Sequence, residues 1–198
     1  MFTGIIQALG QIESIQSTNG DIKISINAAG LQLTDLKEGD SIAVNGVCLT
    51  ATQLSATHFE ANVSKETLSV TVGLDTKSHV NLEKALCLND SLGGHLVSGH
   101  IDGVGLVERL EPVNDCWLLA IKTPHAISKY IARKGSICIN GVSLTVNTIE
   151  KDVFTVNIIP HTIEKTTLGK LNVSSQVNLE IDQIARYVER LQQWESES

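Results

Sequence analysis

The stretch NGVCLT at residues 45–50 returns as NGVSLT at residues 140–145, and the two differ only in Cys48 against Ser143. The echo extends far on either side at a constant shift of 95 residues. TGIIQALGQIE from Thr3 falls on SGHIDGVGLVE from Ser98, so that Gly4 meets Gly99, Ile6 meets Ile101, Gly10 meets Gly105 and Glu13 meets Glu108. SIAVNGVCLT from Ser41 falls on SICINGVSLT from Ser136. VNLE recurs at 80–83 and 177–180, two residues out of step, which places a small insertion or deletion near Gly73 and Gly169. A fixed offset through separate matches marks a tandem duplication. The expected organisation is a first barrel over 1–95, a second over 96–182, and a helix with tail over 183–198.

Each unit reads as short strands. DIKISINAA and WLLAIKT alternate in polarity, the two NGV segments are rich in β-branched residues, and HFEANVS and VFTVNII alternate again. Asn-Gly at 45–46 and 140–141 signals a tight hairpin turn. About six short strands per unit, with Gly, Asn and Asp turns, predict an all-β fold of two small closed antiparallel barrels, whose closure removes exposed edges. Two helices interrupt the pattern. One starts with Thr123 as N-cap and Pro124 at the first position, presents Ile127, Tyr130 and Ile131, and stops before Gly135. The other spans 183–194, with Ile184, Val188 and Leu191 on one stripe that either docks on its own barrel or assembles subunits.

Bulk properties narrow the partners. Hydrophobic residues make up 42% and charged residues 19% of 198 residues, a globular composition. A net charge of -7 disfavours nucleic acid and anionic membrane surfaces, and suits a small neutral ligand. MFTGIIQALGQIES carries no basic flank or sustained apolar run, so neither a secretory signal nor a membrane span is expected, and the expected location is cytoplasmic. Cys48, Cys87, Cys116 and Cys138 form no C-x-x-C pair; reduced thiols are expected, three of them in the core.

Chemistry concentrates in two places. SLGGHLVSGHIDG at 91–103 holds four glycines, two histidines and two serines but no G-x-G-x-x-G or G-K-[ST] phosphate pattern. His95 and His100 are five apart, off the spacing of helical zinc ligands, so no metal is expected. The glycines suit close backbone approach to a flat ligand, with His100 as either a proton carrier or a hydrogen-bonded turn residue. Cys48 is either a small core residue or, since its repeat mate is the polar Ser143, a residue lining a barrel mouth. Ser41 and Thr50 flank it, as Ser136 and Thr145 flank Ser143. Paired hydroxyls suit a heterocycle with ring carbonyls and nitrogens. The residues alone predict two similar pockets for two copies of a similar polar heterocycle.

MFTGII at the start, NGVCLT, SKETL at 64–68, GGHLVSGHI at 93–101, GVSLTV at 141–146 and IPHTIEKTTLG at 159–169 together resemble the riboflavin synthase family, alpha-chain type, across essentially the whole chain. The resemblance implies two six-stranded Greek-key barrels with a C-terminal helix that holds a homotrimer, and in some members association with lumazine synthase. It implies a dismutation: one 6,7-dimethyl-8-ribityllumazine gives a four-carbon unit to another, yielding riboflavin and 5-amino-6-ribitylamino-uracil, with no cofactor. The active site would lie between the first barrel of one subunit and the second barrel of its neighbour. The implied ligand positions are Gly4, Ile5 and Ile6; Cys48, Leu49 and Thr50; and Asn62, Val63, Ser64, Lys65, Glu66 and Thr67. In the second barrel they are Gly99, His100 and Ile101; Lys134; Ser143, Leu144 and Thr145; and Asn157, Ile158, Ile159, Pro160, His161 and Thr162.

Taken on that resemblance, His100 with Ser143 and Thr145 handles the proton of the acidic 7-methyl group. Cys48, Ser41 or a bound water adds to position 7 of the other molecule, and Asp182 orients His100. The chain departs from the family at Val44 and Val47, where some relatives carry polar or thiol residues. His161 also stands where a Glu is usual; its repeat mate is Glu66. The rival reading is a non-catalytic lumazine protein of the same family, whose members tend to lose the polar residues of GGHLVSGHI and SLTV. A reductase-type flavin barrel would need an Arg-x-Tyr-Ser-like motif and a nucleotide-binding domain, and the sequence has neither.

Overall fold

The computed structural model describes residues 1–197; Ser198, the end of the expected tail, lies outside the described residues. Six strands close the first barrel: β1 (Ala8–Thr18), β2 (Asp21–Asn27), β3 (Ser41–Val44), β4 (Val47–Leu54), β5 (His58–Val63) and β6 (His79–Lys84). They close antiparallel in the Greek-key order β1-β2-β5-β4-β3-β6. The second barrel repeats that order with β7 (Gly103–Val113), β8 (Cys116–Lys122), β9 (Ser136–Ile139), β10 (Val142–Glu150), β11 (Val153–Ile158) and β12 (Gln176–Ile181).

The duplication is written into the two cores. Ile12, Ile24, Ile26, Ile42, Val44 and Phe59 fill the first barrel, and their repeat mates Val107, Leu119, Ile121, Ile137, Ile139 and Phe154 fill the second. Burying each such side chain contributes about 1.5–3 kcal/mol. Mates differ by at most a methylene, except the shared Phe, so the same backbone frame can be packed twice.

Both Asn-Gly turns take the conformation that a two-residue hairpin demands. Asn45 and Gly46 have φ of 47° and 80°, Asn140 and Gly141 of 46° and 84°. The turns also meet each other between the barrels. A Cβ on Gly46 would lie 2.6 Å from the Gly141 nitrogen, and one on Gly141 would lie 2.9 Å from the Gly46 nitrogen. Four buried asparagines bolt this junction. Asn81 donates to the Asn140 carbonyl at 2.8 Å, and Asn178 donates to the Asn45 carbonyl at 3.1 Å. The Asn45 and Asn140 side chains accept from the Asn81 and Asn178 amides in return. Buried amides cross-linked in this way hold one geometry, because any shift strands several polar groups away from water. Nearby, Phe2 and Val97, again repeat mates, exchange both backbone hydrogen bonds at 2.7 and 3.0 Å.

The helices differ from expectation in detail. The helix expected from Thr123 is the four-residue α2, His125–Ser128, with Pro124 rather than Thr123 at the cap. Beyond it the chain continues as turns, closed by bonds from the Tyr130 and Ile131 amides to the Ile127 and Ser128 carbonyls, and the expected apolar residues Ile127, Tyr130 and Ile131 all pack on the second core. Two six-residue helices were not anticipated from the sequence: α1 (Lys65–Val70), where the Ser64 hydroxyl accepts from the Thr67 amide, and α3 (Pro160–Lys165), with Pro at its first turn. Helix α4 (Gln183–Glu197) is present. Only Cys138 among the cysteines is buried; Cys48 and Cys116 are half-buried and Cys87 is exposed, so the expectation of three core thiols fails.

Candidate functional site

Strand alternation decides where Cys48 points. Ile42, Val44, Val47, Leu49 and Ala51 belong to the first core. Ser41, Ala43, Cys48 and Thr50, at the alternate positions, therefore face outward, with Ala43 paired to Cys48 and Ser41 to Thr50. The same logic turns Ser136, Cys138, Ser143 and Thr145 outward from the second barrel. Cys48 and Ser143 thus sit on outer walls, not at barrel mouths as the sequence suggested. Cys48 packs against a small cluster of Phe2, Ala43, Val97 and Cys138 between the barrels.

What covers each wall comes from the opposite repeat. The Cys48 amide donates to the Gly99 carbonyl at 2.9 Å, and the Ser143 amide to the Gly4 carbonyl at 2.8 Å. The approach is so close that a Cβ on Gly99 would lie 2.6 Å from the Cys48 Cβ, and one on Gly4 would lie 2.5 Å from the Ser143 Cβ. Both glycines also need positive φ, 81° and 75°. Beyond them Ile101 packs on the first core and Ile6 on the second. The segments 2–6 and 97–101 are therefore exchanged arms. Gly4, Ile5 and Ile6 serve the Ser143 wall, and Gly99, His100 and Ile101 serve the Cys48 wall, the reverse of a grouping by repeat.

Two buried carboxylates hold the arms. Glu83 of β6 accepts from the Thr3 amide at 2.7 Å, the Thr3 hydroxyl at 2.6 Å and the Gly4 amide at 3.0 Å. Glu180 of β12 accepts from the amides of Ser98, Gly99 and His100 at 2.7, 2.8 and 3.1 Å. Burial pushes both carboxyls above the ordinary range, and the hydrogen bonds oppose that shift.

The remaining expected residues fall beside these walls. Thr50 and Asn62 lie one position beyond the Ala51–Ala61 pair of β4 and β5, both exposed. Ser64, Lys65 and Glu66 continue that exposed surface into α1, with Thr67 half-buried. In the second barrel Thr145 and Asn157 take the equivalent place beside the Val146–Val156 pair, followed by exposed Ile159, Pro160 and His161 and half-buried Thr162. Leu49, Val63 and Ile158 belong to the cores, so their side chains turn away from the walls; Leu144 is half-buried against the second core.

Lys134 stands where the first repeat has Gly39. Both have positive φ, 67° and 95°, and both donate from the backbone across to the strand after the turn. A non-glycine residue there costs about 1–2 kcal/mol, so lysine is held against its conformational preference.

His100 is exposed, with its amide on Glu180 and its carbonyl accepting from Arg186 at 3.1 Å. Asp182 does not bond His100. Its carboxylate accepts from the Ile184 amide at 3.0 Å, capping α4, and its charge acts on His95. His95 is the residue the sequence reading missed as a site member. Its Nδ1 lies 2.6 Å from the Ser143 hydroxyl, its Nε2 is buried without a partner, and burial holds its pKa below the ordinary value. The signal was present in GGHL: a Cβ on Gly94 would lie 2.1 Å from the Thr3 carbonyl, so this linker must press onto the arm and onto Ser143. Ser41 opens instead onto a cleft of about 640 Å³ shared with Thr3, Ile5, Glu83 and Lys84. Among the described residues no three His, Cys, Asp or Glu side chains gather into a metal site, and no helix is long and apolar enough to cross a membrane.

Comparison with known proteins places this architecture. The lumazine binding domain model matches twice, at residues 3–85 and 98–182. Riboflavin synthase of Photobacterium phosphoreum is 45% identical over 96% of this chain and 88% of its own length. The Actinobacillus pleuropneumoniae and Bacillus subtilis riboflavin synthases are 46% and 40% identical, each over 96% of this chain and 89% of its own length. Solved structures of LumP superpose with TM-scores of 0.84 (complexed with riboflavin) and 0.81 (complexed with 6,7-dimethyl-8-ribityl lumazine). Each is 28% identical and covers 91% of this chain and 99% of its own. With a duplicated lumazine binding domain and full-length relatives at 40–46% identity, the chain belongs to the riboflavin synthase family.

Proposed function

We infer that the chain catalyses the riboflavin synthase reaction, moving a four-carbon unit between two molecules of 6,7-dimethyl-8-ribityllumazine to give riboflavin and 5-amino-6-ribitylamino-uracil. The observation that carries this reading is the pair of outer-wall sites in one chain, built on the same frame but with different side chains. Two identical reactants with different roles need two matching seats with different chemistry, and holding both in register supplies much of the rate.

At the first wall the half-buried Cys48 thiol, Thr50 and Asn62 face one lumazine, with exposed His100 arriving on the arm from the other repeat. At the second wall Ser143, Thr145 and Asn157 face the other lumazine, beside the arm Gly4–Ile6, with Lys134 at its strained turn. His95 holds the Ser143 hydroxyl, and its neutral imidazole can pass a proton through that hydroxyl. In this scheme the Cys48 thiol adds to position 7 of the lumazine at the first wall, and His100 takes the 7-methyl proton of the other lumazine, which the second wall of the next subunit sets opposite it. No cofactor is required, because the four-carbon donor and acceptor are the same compound.

Both walls lie open in a single chain: Thr50, Asn62, Thr145 and Asn157 are exposed. Helix α4 supports closure by other subunits. It binds its own barrel with polar groups, since Arg186 reaches Asp102 at 2.8 Å and Glu189 meets Lys129 and Tyr130. Its apolar residues Ile184, Tyr187, Val188, Leu191 and Trp194 are at least 48% exposed and recur at helical spacing. A homotrimer that packs these helices together and sets the first wall of one subunit against the second wall of the next completes both seats.

The direct test is anaerobic incubation of the protein with the lumazine alone, following riboflavin by absorbance. One riboflavin per two lumazines consumed supports the reading. Tight binding without turnover would make the chain a carrier of lumazine or flavin instead.

A further inference from the structure

We propose that Glu83 and Glu180 are positioning residues that act crosswise: Glu180, in the second barrel, shapes the Cys48 seat of the first, and Glu83, in the first barrel, shapes the Ser143 seat of the second. The proposal rests on the reading of the two walls as ligand seats, but its geometry stands apart from the reaction. Each carboxylate is at most 2% exposed, yet each faces three donors that all belong to one exchanged arm. To its wall each arm makes one backbone bond, the Gly99 carbonyl accepting from the Cys48 amide and the Gly4 carbonyl from the Ser143 amide.

A carboxylate is suited to this task because it accepts on both oxygens and donates nothing. A glutamine of the same shape must turn its NH₂ toward at least one backbone N–H, which loosens the arm without emptying the core. The two arms are not equally tied elsewhere. The first is also clamped by the linker, where Gly94 presses on the Thr3 carbonyl, the His95 amide donates to that carbonyl at 3.1 Å, and the His95 ring bonds Ser143. The second is tied through the His100 carbonyl to Arg186. His100 is therefore held from two sides, by Glu180 at its amide and by Arg186, itself paired with Asp102, at its carbonyl.

The experiment compares Glu180→Gln and Glu83→Gln by iodoacetamide alkylation of the native protein, with the labelled cysteine mapped by mass spectrometry. Cys48 reports the first wall directly, and a Ser143→Cys background reports the second. Leaving a buried donor facing a donor loosens the arm, so the affected thiol should react about ten-fold faster. The expected result is crossed: E180Q exposes Cys48 and leaves position 143 unchanged, while E83Q exposes position 143 and leaves Cys48 unchanged. In a lumazine titration E180Q should weaken one class of site and E83Q the other. Acceleration in the same barrel as the substitution, or equal acceleration at both thiols, overturns the proposal. Where either Gln variant melts before assay temperature, Glu→Asp keeps the charge and withdraws it by one methylene, and the same crossed pattern at smaller amplitude is required. Because alkylation needs no turnover, a crossed result in a protein that makes no riboflavin would sink the activity and keep the positioning role.

Discussion

The two walls share a backbone and part company in chemistry. The first presents a thiol at Cys48, a glycine at the Gly39 turn, and Glu66 on α1. The second presents Ser143, a strained Lys134 at the equivalent turn, and His161 on α3. The linker 91–96 adds a further difference: it brings His95 onto Ser143 at 2.6 Å, whereas Cys48 has no such histidine partner among the described residues. Duplication produced two equal frames; joining them in one chain made them unequal. A reaction between two identical molecules, one giving carbon and one receiving it, has a use for that inequality.

Removing the closure of both walls should have the largest effect. Replacing Val188 and Leu191 with Asp places charges on the exposed stripe of α4 without touching the polar contacts that hold it to the barrel. Sedimentation should show dissociation, and riboflavin formation should fall about 100-fold or more, as expected when reacting partners lose register. An active monomer would break the comparison by showing that each chain closes its own walls.

Exchanging chemistry between the walls comes next. Cys48→Ser makes the first wall resemble the second, and should lower kcat about ten-fold or more while lumazine affinity stays within about two-fold. Unchanged turnover would remove the thiol from the mechanism.

The junction between the barrels can be probed by two glycines of like conformation. Gly39→Ala meets open space and should cost only the positive-φ penalty, about 1–2 kcal/mol. Gly46→Ala pays the same penalty and also drives its Cβ to 2.6 Å from the Gly141 backbone, so it should cost clearly more. Thermal melts of the two variants measure the gap, and equal melting would mean that the junction yields.

Sequence alone revealed the repeat, the strand count and the Asn-Gly turns, because each is a local pattern repeated at a fixed shift. It could not reveal the exchanged arms. Within each repeat Gly4 stands before Cys48, and Gly99 before Ser143, at the same sequence separation, so a straight pairing reads as well as the crossed one, Gly99 on Cys48 and Gly4 on Ser143, that the fold adopts. Strand alternation around Cys48 was readable, but which side of a closed barrel holds the ligand was not. Helices α1 and α3 escaped because six residues are too few to show a helical period; Ser64 and Pro160 were their only marks. His95 was seen only as a failed zinc ligand, since its partner Ser143 is distant in sequence.

His95 also gives a pH signature to the second wall. Its folded pKa lies below the ordinary histidine value because burial disfavours the imidazolium, with Asp182 opposing in part. Its contribution to stability is therefore present above about pH 6.5 and is lost as pH falls through the lowered folded value. Unfolding titrations from pH 7.5 downward should show His95→Gln with a shallower acid limb, by up to about 1.4 kcal/mol per pH unit. An unchanged slope would mean that His95 charges without strain. The smallest effect should come from Lys134→Gly, which relieves the left-handed strain but adds chain entropy, leaving the melting temperature within about 2 °C while weakening lumazine binding.

The most direct test of two unlike seats is a stopped-flow fluorescence titration of the wild-type protein with 6,7-dimethyl-8-ribityllumazine, read before the first turnover. The account predicts two lumazines bound per chain in two phases of unequal affinity. A single phase that saturates at one lumazine per chain would contradict it.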